Sequence, residues 1–404
     1  MVITTQQKTI RPGYKKTEVG VIPEDWGVEA FKDMFSISAG GDFDPRLSSG
    51  EYDDTHVYPV YSNALTNAGV YGYCSYSDHK AGSITVTARG TLGVAHYRDR
   101  EFTAVGRVLV LEPRKKLDGR FFAEYINDRV RFAIESTGVP QLTAPQISKY
   151  KLPVPPPIEQ SGIATALAGV DALIASLAAL LAKQHDLKTA VMRELLAGKR
   201  RLPGFSGEWK LKRLGSLGTF RGGNGFPTKY QGDVEGDYPF FKVSDMNNEG
   251  NSKFMIASNN WISENTRKRI GANIFPAKTV VFAKIGAAIF LERKKILSRD
   301  SCIDNNMMGF VVDEGLADPR FVHCLLLNSQ LGKLIAATAL PSLNGRDIAA
   351  LEFGIPRIPE QRAIAAVLSD MDLECAALET RREKTQALKQ GMMQQLLTGH
   401  IRLI

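Results

Sequence analysis

The sequence is poor in cysteine and histidine and has no long apolar run, and each shortage removes a class of protein. Its four cysteines, Cys74, Cys302, Cys324 and Cys375, are scattered over 404 residues without a C-x-x-C pair. That argues against a regularly spaced zinc site and a disulfide framework, and it fits a reducing cytoplasm. The six histidines are scattered too. No uninterrupted apolar stretch reaches the roughly 20 residues of a membrane span. The nearest, residues 163–182, is broken by Thr165, Asp171 and Ser176. The start, Met1-Val2-Ile3-Thr4-Thr5, has no apolar signal core. There is no G-x-x-x-x-G-K-[ST] phosphate loop and no N-P-P-F or D-P-P-Y methyltransferase motif. Arg221-Gly222-Gly223-Asn224-Gly225 is glycine-rich but lacks the Lys-Ser/Thr that would follow in a nucleotide cradle, and it reads as a flexible loop. Glu292-Arg293-Lys294 has the E-x-K spacing of some nucleases without the upstream acidic partner.

What is present is ordinary in bulk. Hydrophobic residues make up 44% and charged residues 23%, as in soluble globular proteins. The length is too great for one simple core, so two or more domains are expected. The net charge of +8 leaves open both a mildly basic surface and a nucleic-acid partner.

The informative feature is a repeat. Pro155-Pro156-Pro157-Ile158-Glu159-Gln160 leads into a proline-free stretch ending Leu195-Leu196-Ala197-Gly198. Pro356-Arg357-Ile358-Pro359-Glu360-Gln361 leads into another, ending Leu396-Leu397-Thr398-Gly399. The copies align without a gap at an offset of 201 residues, which pairs Asp171 with Asp372, Leu187-Lys188 with Leu388-Lys389, and Arg201-Leu202 with Arg402-Leu403. Repetition at this spacing indicates a duplicated two-part unit.

Each copy follows a block rich in short strands. Val57-Tyr58-Pro59-Val60-Tyr61, Ile84-Thr85-Val86-Thr87 and Val105 to Val110 have counterparts at Tyr238 to Val243, Thr279 to Ala283 and Met308 to Val312. A short helix is expected to close each block, over residues 119–134 and 318–337. Trp26 and Trp209 open the blocks 183 residues apart, against 201 for the repeated stretches, so the two blocks differ in length by about eighteen residues, a difference of the kind that collects in loops. Residues 1–21, polar and basic, read as an arm.

The proline-free stretches place Ile163, Leu167, Val170, Ile174, Leu177, Leu181, Val191 and Leu195 on a 4-3-4-3 spacing, the seam of a coiled coil. The second copy gives Ile364, Leu368, Met371, Cys375, Leu378, Met392 and Leu396. At about 1.5 Å per residue, 159–197 spans roughly 58 Å. Such a helix is best buried against its own repeat, antiparallel within one chain. Gln184, Lys188, Arg382, Thr385 and Lys389 interrupt the seam, and either lie within it or turn outward. The fold class is therefore α+β: two globular domains and two long antiparallel helices forming an intramolecular coiled coil, related by a pseudo-twofold repeat. The expected divisions are an arm over 1–21, a first domain over 22–154, a first helical spacer over 155–200, a second domain over 201–355 and a second spacer over 356–404.

This constellation resembles the specificity subunit of Type I restriction–modification systems. The likeness covers nearly the whole chain. It rests on the paired Glu-Gln helix starts, the L-L-x-G ends, and Leu142 to Ser148 and Leu343 to Ala349 with the Pro155 and Pro356 hinges behind them. The resemblance implies two target recognition domains, each reading one half of a split site in double-stranded DNA. It implies helices that set the spacer and dock two methyltransferase subunits, with restriction subunits joining that complex. It also implies a chain without chemistry or cofactor of its own, S-adenosylmethionine, ATP and magnesium belonging to the partners. The location expected is the cytoplasm, away from membranes.

Short polar groups after strands suit base edges, and basic residues suit phosphates. The candidate DNA-binding residues are Ser62, Asn63, Asn67, Arg89, Thr91, Lys115 and Lys116 in the first block. In the second they are Lys242, Ser244, Asn247, Arg267, Lys268, Lys284 and Lys294. Candidate partner-docking residues are Glu159, Gln160, Glu360, Gln361, Leu195 and Leu396. The residues alone leave two other classes open: a coiled-coil protein–protein adaptor without DNA specificity, and an enzyme with divergent motifs.

Overall fold

A computed structural model describes residues 10–133, 140–335 and 341–403. The chain divides into two compact units: Met1–Ala178 with Thr380–Ile404, and Ala179–Glu379. The repeated stretches form two long helices, Pro157–Leu196 of 40 residues and Ile358–Leu396 of 39. Each helix contributes one part to each unit.

In the first unit, one four-stranded sheet holds Phe35–Ala39, Val108–Pro113, Ile84–Thr87 and Ala95–Tyr97 in that order, all antiparallel. A second has Thr103–Ala104 running parallel to Tyr58–Tyr61, then Val70–Cys74 and Ser48–Ser49. The strand Ile84–Thr87 is buried along its length, as its run of β-branched residues suggests. In the second unit, five strands lie in the order Gly218–Gly222, Met307–Val312, Val280–Ala283, Lys294–Leu297, Phe254–Met255. Beside them a three-stranded sheet repeats the parallel pairing, Cys302–Ile303 against Tyr238–Phe241. The expected closing helices are Gly119–Arg129 and Pro319–Asn328; the ends of both expected ranges reach residues outside those described. The glycine-rich segment is not a loop at its start. Arg221 and Gly222 end a strand, and a Cβ on Gly223 would lie 2.1 Å from the Asp304 carbonyl oxygen, so glycine is needed there for close backbone approach.

The N-terminal segment is more ordered than its polar composition suggests. Tyr14–Thr17 and Gly20–Pro23 form an antiparallel hairpin, and the Tyr14 hydroxyl donates to the Gly399 carbonyl oxygen at 2.7 Å. Residues 1–9 lie outside those described.

The helix parts run antiparallel within each unit. In the first, Ile163 and Leu167 share a core with Leu396 and Leu397; in the second, Leu195 and Leu196 share one with Ile364 and Leu368. The polar seam residues face across. Lys389 donates to Asp171 at 2.7 Å in the first unit, and Lys188 pairs with Asp372 in the second, where Gln184 also bonds Glu374. These are the same pair displaced by 201 residues. A residue of the adjoining block joins each: Glu124 lies 3.3 Å from Lys389, and Lys253 lies 3.1 Å from Asp372. Thr385 is buried and donates back to the Arg381 carbonyl, while the Arg382 Nε is buried without a partner.

Candidate nucleic-acid interface

In the first unit, the strand Tyr58–Tyr61 ends in a loop closed on itself. The Ser62 amide donates to the Gly69 carbonyl at 2.8 Å. Inside the loop the chain turns through three left-handed residues, Asn67 (φ 49°), Ala68 (φ 48°) and Gly69 (φ 83°). The Asn63 amide nitrogen donates to the Arg89 carbonyl at 2.9 Å, which ties this loop to the turn after the strand Ile84–Thr87. That turn is held by the Thr87 hydroxyl on the Thr91 carbonyl at 2.6 Å. Ser62, Asn63, Asn67, Arg89 and Thr91 are therefore brought onto two tied loops, with Asn67 and Thr91 exposed. Lys115 and Lys116 are not part of them: Lys115 pairs with Glu29, and Lys116 lies beside Asp118 and Pro157 at the start of the first long helix.

The second unit builds a related arrangement from different residues. After the strand Tyr238–Phe241, a tight turn, Val243–Asn247, exposes Ser244 and Asn247. It is pinned by the Asp245 carboxylate, which accepts from the Lys242 amide at 2.7 Å. Asp245 is fully buried, and burial raises its pKa despite that bond. The Lys242 ammonium donates to Gln231 at 3.0 Å, and Asn247 accepts from Arg293. Lys284 follows the strand Val280–Ala283, and its ammonium lies over Gly222, where a Cβ would come within 2.8 Å. The repeated segments Leu142 to Ser148 and Leu343 to Ala349 brace the turns after the strands Ile84–Thr87 and Val280–Ala283: the Leu142 amide donates to the Ala88 carbonyl and the Leu343 amide to the Lys284 carbonyl, both at 2.8 Å.

Several assignments from sequence are corrected by burial and pairing. Lys294 is not a phosphate contact. Its side chain is 1% exposed, and its ammonium is spent on Glu292 and on the Ser329 carbonyl at 2.9 Å. The basic character of Arg-Lys-Lys at 293–295 conceals this, because strand alternation turns one of the three inward. Arg267 is held by Glu264 through two bonds of 2.6 and 2.8 Å and donates a third to Ala272, which leaves Lys268, 3.5 Å from Glu264, and Arg269 as the exposed cations of that helix.

The six residues assigned to partner docking are all interior. Leu195 and Leu396 belong to the two cores. Gln160 donates to the Pro155 carbonyl at 2.8 Å and accepts from the Asp118 amide at 3.0 Å. Gln361 does the same with Pro356 and Asp318, at 2.9 and 2.8 Å. Each aspartate caps the short helix that closes its block. Glu159 is 1% exposed and takes a two-pronged bond from Arg402, 2.6 and 2.8 Å, plus the Trp26 indole at 2.9 Å. Glu360 takes the equivalent pair from Arg201, again 2.6 and 2.8 Å, but the Trp209 indole nitrogen is left without a partner. The repeated Glu-Gln is thus a rivet joining block, hinge and helix. Gly198 (φ 65°) and Gly399 (φ 69°) turn the chain after each long helix so that the arginine can reach back.

The sequence matches the family described as the Type I restriction modification DNA specificity domain twice, over residues 23–183 and 206–390. Two relatives in Methanocaldococcus jannaschii are similar along nearly their full length. The Type I restriction enzyme MjaIX specificity subunit is 21% identical, with 96% of both chains covered. The putative type I restriction enzyme MjaX specificity subunit is 22% identical over 96% of this chain and 97% of its own. Among solved structures, the S subunit of a Type I restriction–modification system from M. genitalium aligns with a TM-score of 0.61 at 14% identity, covering 92% of this chain and 96% of that one. A chain from a study of complex assembly and conformational transition in the type I R-M system aligns with a TM-score of 0.56 at 16% identity, covering 94% and 99%.

Proposed function

The chain belongs to the Type I restriction–modification DNA specificity family and is a non-catalytic specificity subunit; from that premise we propose that its first unit reads one half of a bipartite DNA target and its second unit the other. The observation that carries this reading is the doubled arrangement of tied, exposed polar loops, one set per unit, braced by the same repeated segment. Asn63, Asn67, Arg89 and Thr91 would face bases in the first unit, and Ser244, Asn247, Lys242 and Lys284 in the second. Lys268 and Lys116 would serve phosphates.

The long helices set the spacer between half-sites and dock the partners. Leu187 and Leu388, 201 residues apart, are 49% and 58% exposed, one in each unit. They replace the buried Glu-Gln pairs as docking contacts and would receive two methyltransferase subunits, one each; restriction subunits complete the complex. S-adenosylmethionine, ATP and magnesium would be bound by those partners, and the assembly would work in the cytoplasm. The adaptor alternative finds no support in the comparisons.

Mapping methylated bases in a host carrying the intact system tests this reading. Two short half-sites with a fixed unspecified spacer are expected. Asn67→Ala should relax one half only and Asn247→Ala the other. Four residues inserted at matched positions in both long helices add about 6 Å of rise and should lengthen the spacer with unchanged half-sites. A continuous site, or one substitution altering both halves, would refute it.

A further inference from the structure

Arg98 is an arginine in the interior without an acidic partner. It is 4% exposed. Its Nε donates to the Thr85 hydroxyl at 2.8 Å, its Nη2 donates to the Ala68 carbonyl at 2.9 Å, and its guanidinium carbon sits 3.4 Å from the centre of the Tyr61 ring. Phe102 packs edge-on with that ring, 5.3 Å between centroids. Burial pulls the Arg98 pKa down to about 10, against small opposing effects of Tyr61 and Asp99, so the group stays charged at neutral pH. A buried charge met by hydroxyls, a carbonyl and a ring face, with no ion pair among the described residues, is expensive to keep. It therefore calls for a reason.

The reason lies in what it holds. Ala68 is the second of two consecutive non-glycine residues in the left-handed region, a conformation that costs an L-residue with a Cβ of order 1 kcal/mol. The bond from Arg98 falls on the carbonyl of that residue. Gly69 must come next, since a Cβ there would lie 2.7 Å from the Ser62 carbonyl and 3.7 Å from the Arg98 Nη2. Ring stacking fixes the guanidinium plane, and Thr85 anchors it to the central strand. The loop 62–69, which carries Asn63 and Asn67 and is tied to the Arg89 carbonyl by Asn63, is thus braced at its left-handed turn from the sheet by the Arg98 side chain.

We propose that Arg98 is a positioning residue for base reading by the first unit: it clamps the left-handed turn at Asn67 and Ala68 and so sets where Asn63 and Asn67 meet the bases. This rests on the assignment of that loop as a base reader. Lysine cannot replace it, having neither the flat face nor the forked donors.

The test uses the assembled complex with its methyltransferase partners. Initial methylation rates are measured on duplexes carrying single base changes in either half-site, for R98K, T85V and N63A. R98K keeps the charge and should keep non-specific affinity and its salt dependence. It should lose roughly tenfold or more of the discrimination within the first unit's half-site and none within the other. T85V, a near-isosteric change that removes only the anchor of the Nε, should show a smaller loss in the same half, and it carries the test should R98K fail to fold. Wild-type discrimination in folded R98K and in T85V, or equal loss in both halves, overturns the proposal. If N63A leaves both halves unchanged, the loop assignment itself is wrong; if N63A alters the half-site while R98K and T85V do not, only the role of Arg98 fails.

Discussion

Removing one arginine from each rivet should have unequal effects, and the inequality follows from one indole. In Arg402→Met, Glu159 loses both prongs but keeps the Trp26 donor at 2.9 Å. Breaking a buried pair by removing one partner costs about 3–5 kcal/mol. Arg402 is 23% exposed and the tryptophan still serves the carboxylate, which places this variant near 3 kcal/mol on that scale. In Arg201→Met, Glu360 is 4% exposed and loses the only side-chain donor it has among the described residues, because the Trp209 indole does not reach it. Its cost should exceed the first by at least about 1 kcal/mol, the low end of the cost of leaving a buried acceptor unsatisfied. For units of about 200 residues, each kcal/mol moves the midpoint by roughly 2–4 °C, so drops of about 6–12 °C and 8–16 °C are expected. Differential scanning calorimetry gives the shifts, and hydrogen exchange around Trp26 and Trp209 assigns each to its unit. The double change Glu159→Gln with Arg402→Met should cost less than the sum of the single changes by about 1.5 kcal/mol or more. Additive single costs, or a milder effect for Arg201→Met than for Arg402→Met, would refute the reasoning.

Other outcomes follow from buried charge. His323 is 2% exposed, and burial lowers its pKa to about 4, although its bond to the Lys294 carbonyl opposes this. A depressed folded pKa means stability that is complete above about 6.5 and lost as pH falls through about 4, up to about 3 kcal/mol. His323→Gln should flatten urea-derived stability between those limits; an unchanged slope would count against it. Lys294→Gln should destabilise the second unit by about 2–4 kcal/mol yet leave the log–log salt slope of DNA binding unaltered, whereas Lys268→Ala should reduce that slope by about one with little loss of stability. Lys253→Glu should destabilise the second unit more than Lys253→Ala, since a carboxylate would face Asp372. Inverting all three charges, with Lys188→Asp and Asp372→Lys added, should restore melting close to the parent, and failure to do so would show that the triad is not held by charge.

The architecture was legible because two signals repeat at long range. A gapless 201-residue offset and a 4-3-4-3 apolar spacing identify both long helices, and every buried residue from Ile163 to Leu195 except Ala164 lies on that spacing. Five of the six expected strands were found to within a residue or two, because β-branched runs alternate with glycine and aspartate, while the strand expected at Val105 to Val110 lies three residues ahead of the observed Val108–Pro113. The candidate site was only partly legible. Arg98 is followed by two charged residues, Asp99 and Arg100, and sequence offers no sign that its side chain turns inward over Tyr61. Lys294 misleads in the opposite direction. The Glu-Gln pairs stand out strongly, but repetition alone does not separate an interior rivet from an exposed docking contact. The offset between Arg201 and Arg402 held the missing clue: two arginines repeated at the spacing of two glutamates are candidates for pairing with them.

The ion pairs across the helices show how a duplicated scaffold can carry blocks that have diverged. Asp171 with Lys389 and Asp372 with Lys188 are one pair present twice, and each presents both signs of charge to the block beside it. The first block uses Glu124 and joins the lysine; the second uses Lys253, from a different part of its fold, and joins the aspartate. A uniformly acidic or basic seam would have required every block to supply the opposite charge at one place. A bipolar pair accepts either, so a block can change its surface chemistry while its attachment to the helices persists. The Glu–Arg rivets behave differently. Their Glu–Arg bonds lie within the repeated segments and keep the same lengths in both copies, while the further contact of the arginine differs, Asp25 for Arg402 and the Gly207 carbonyl for Arg201. Attachment thus has an invariant part at the helix ends and a permissive part along the helices, and the permissive part is where the two units differ in sequence.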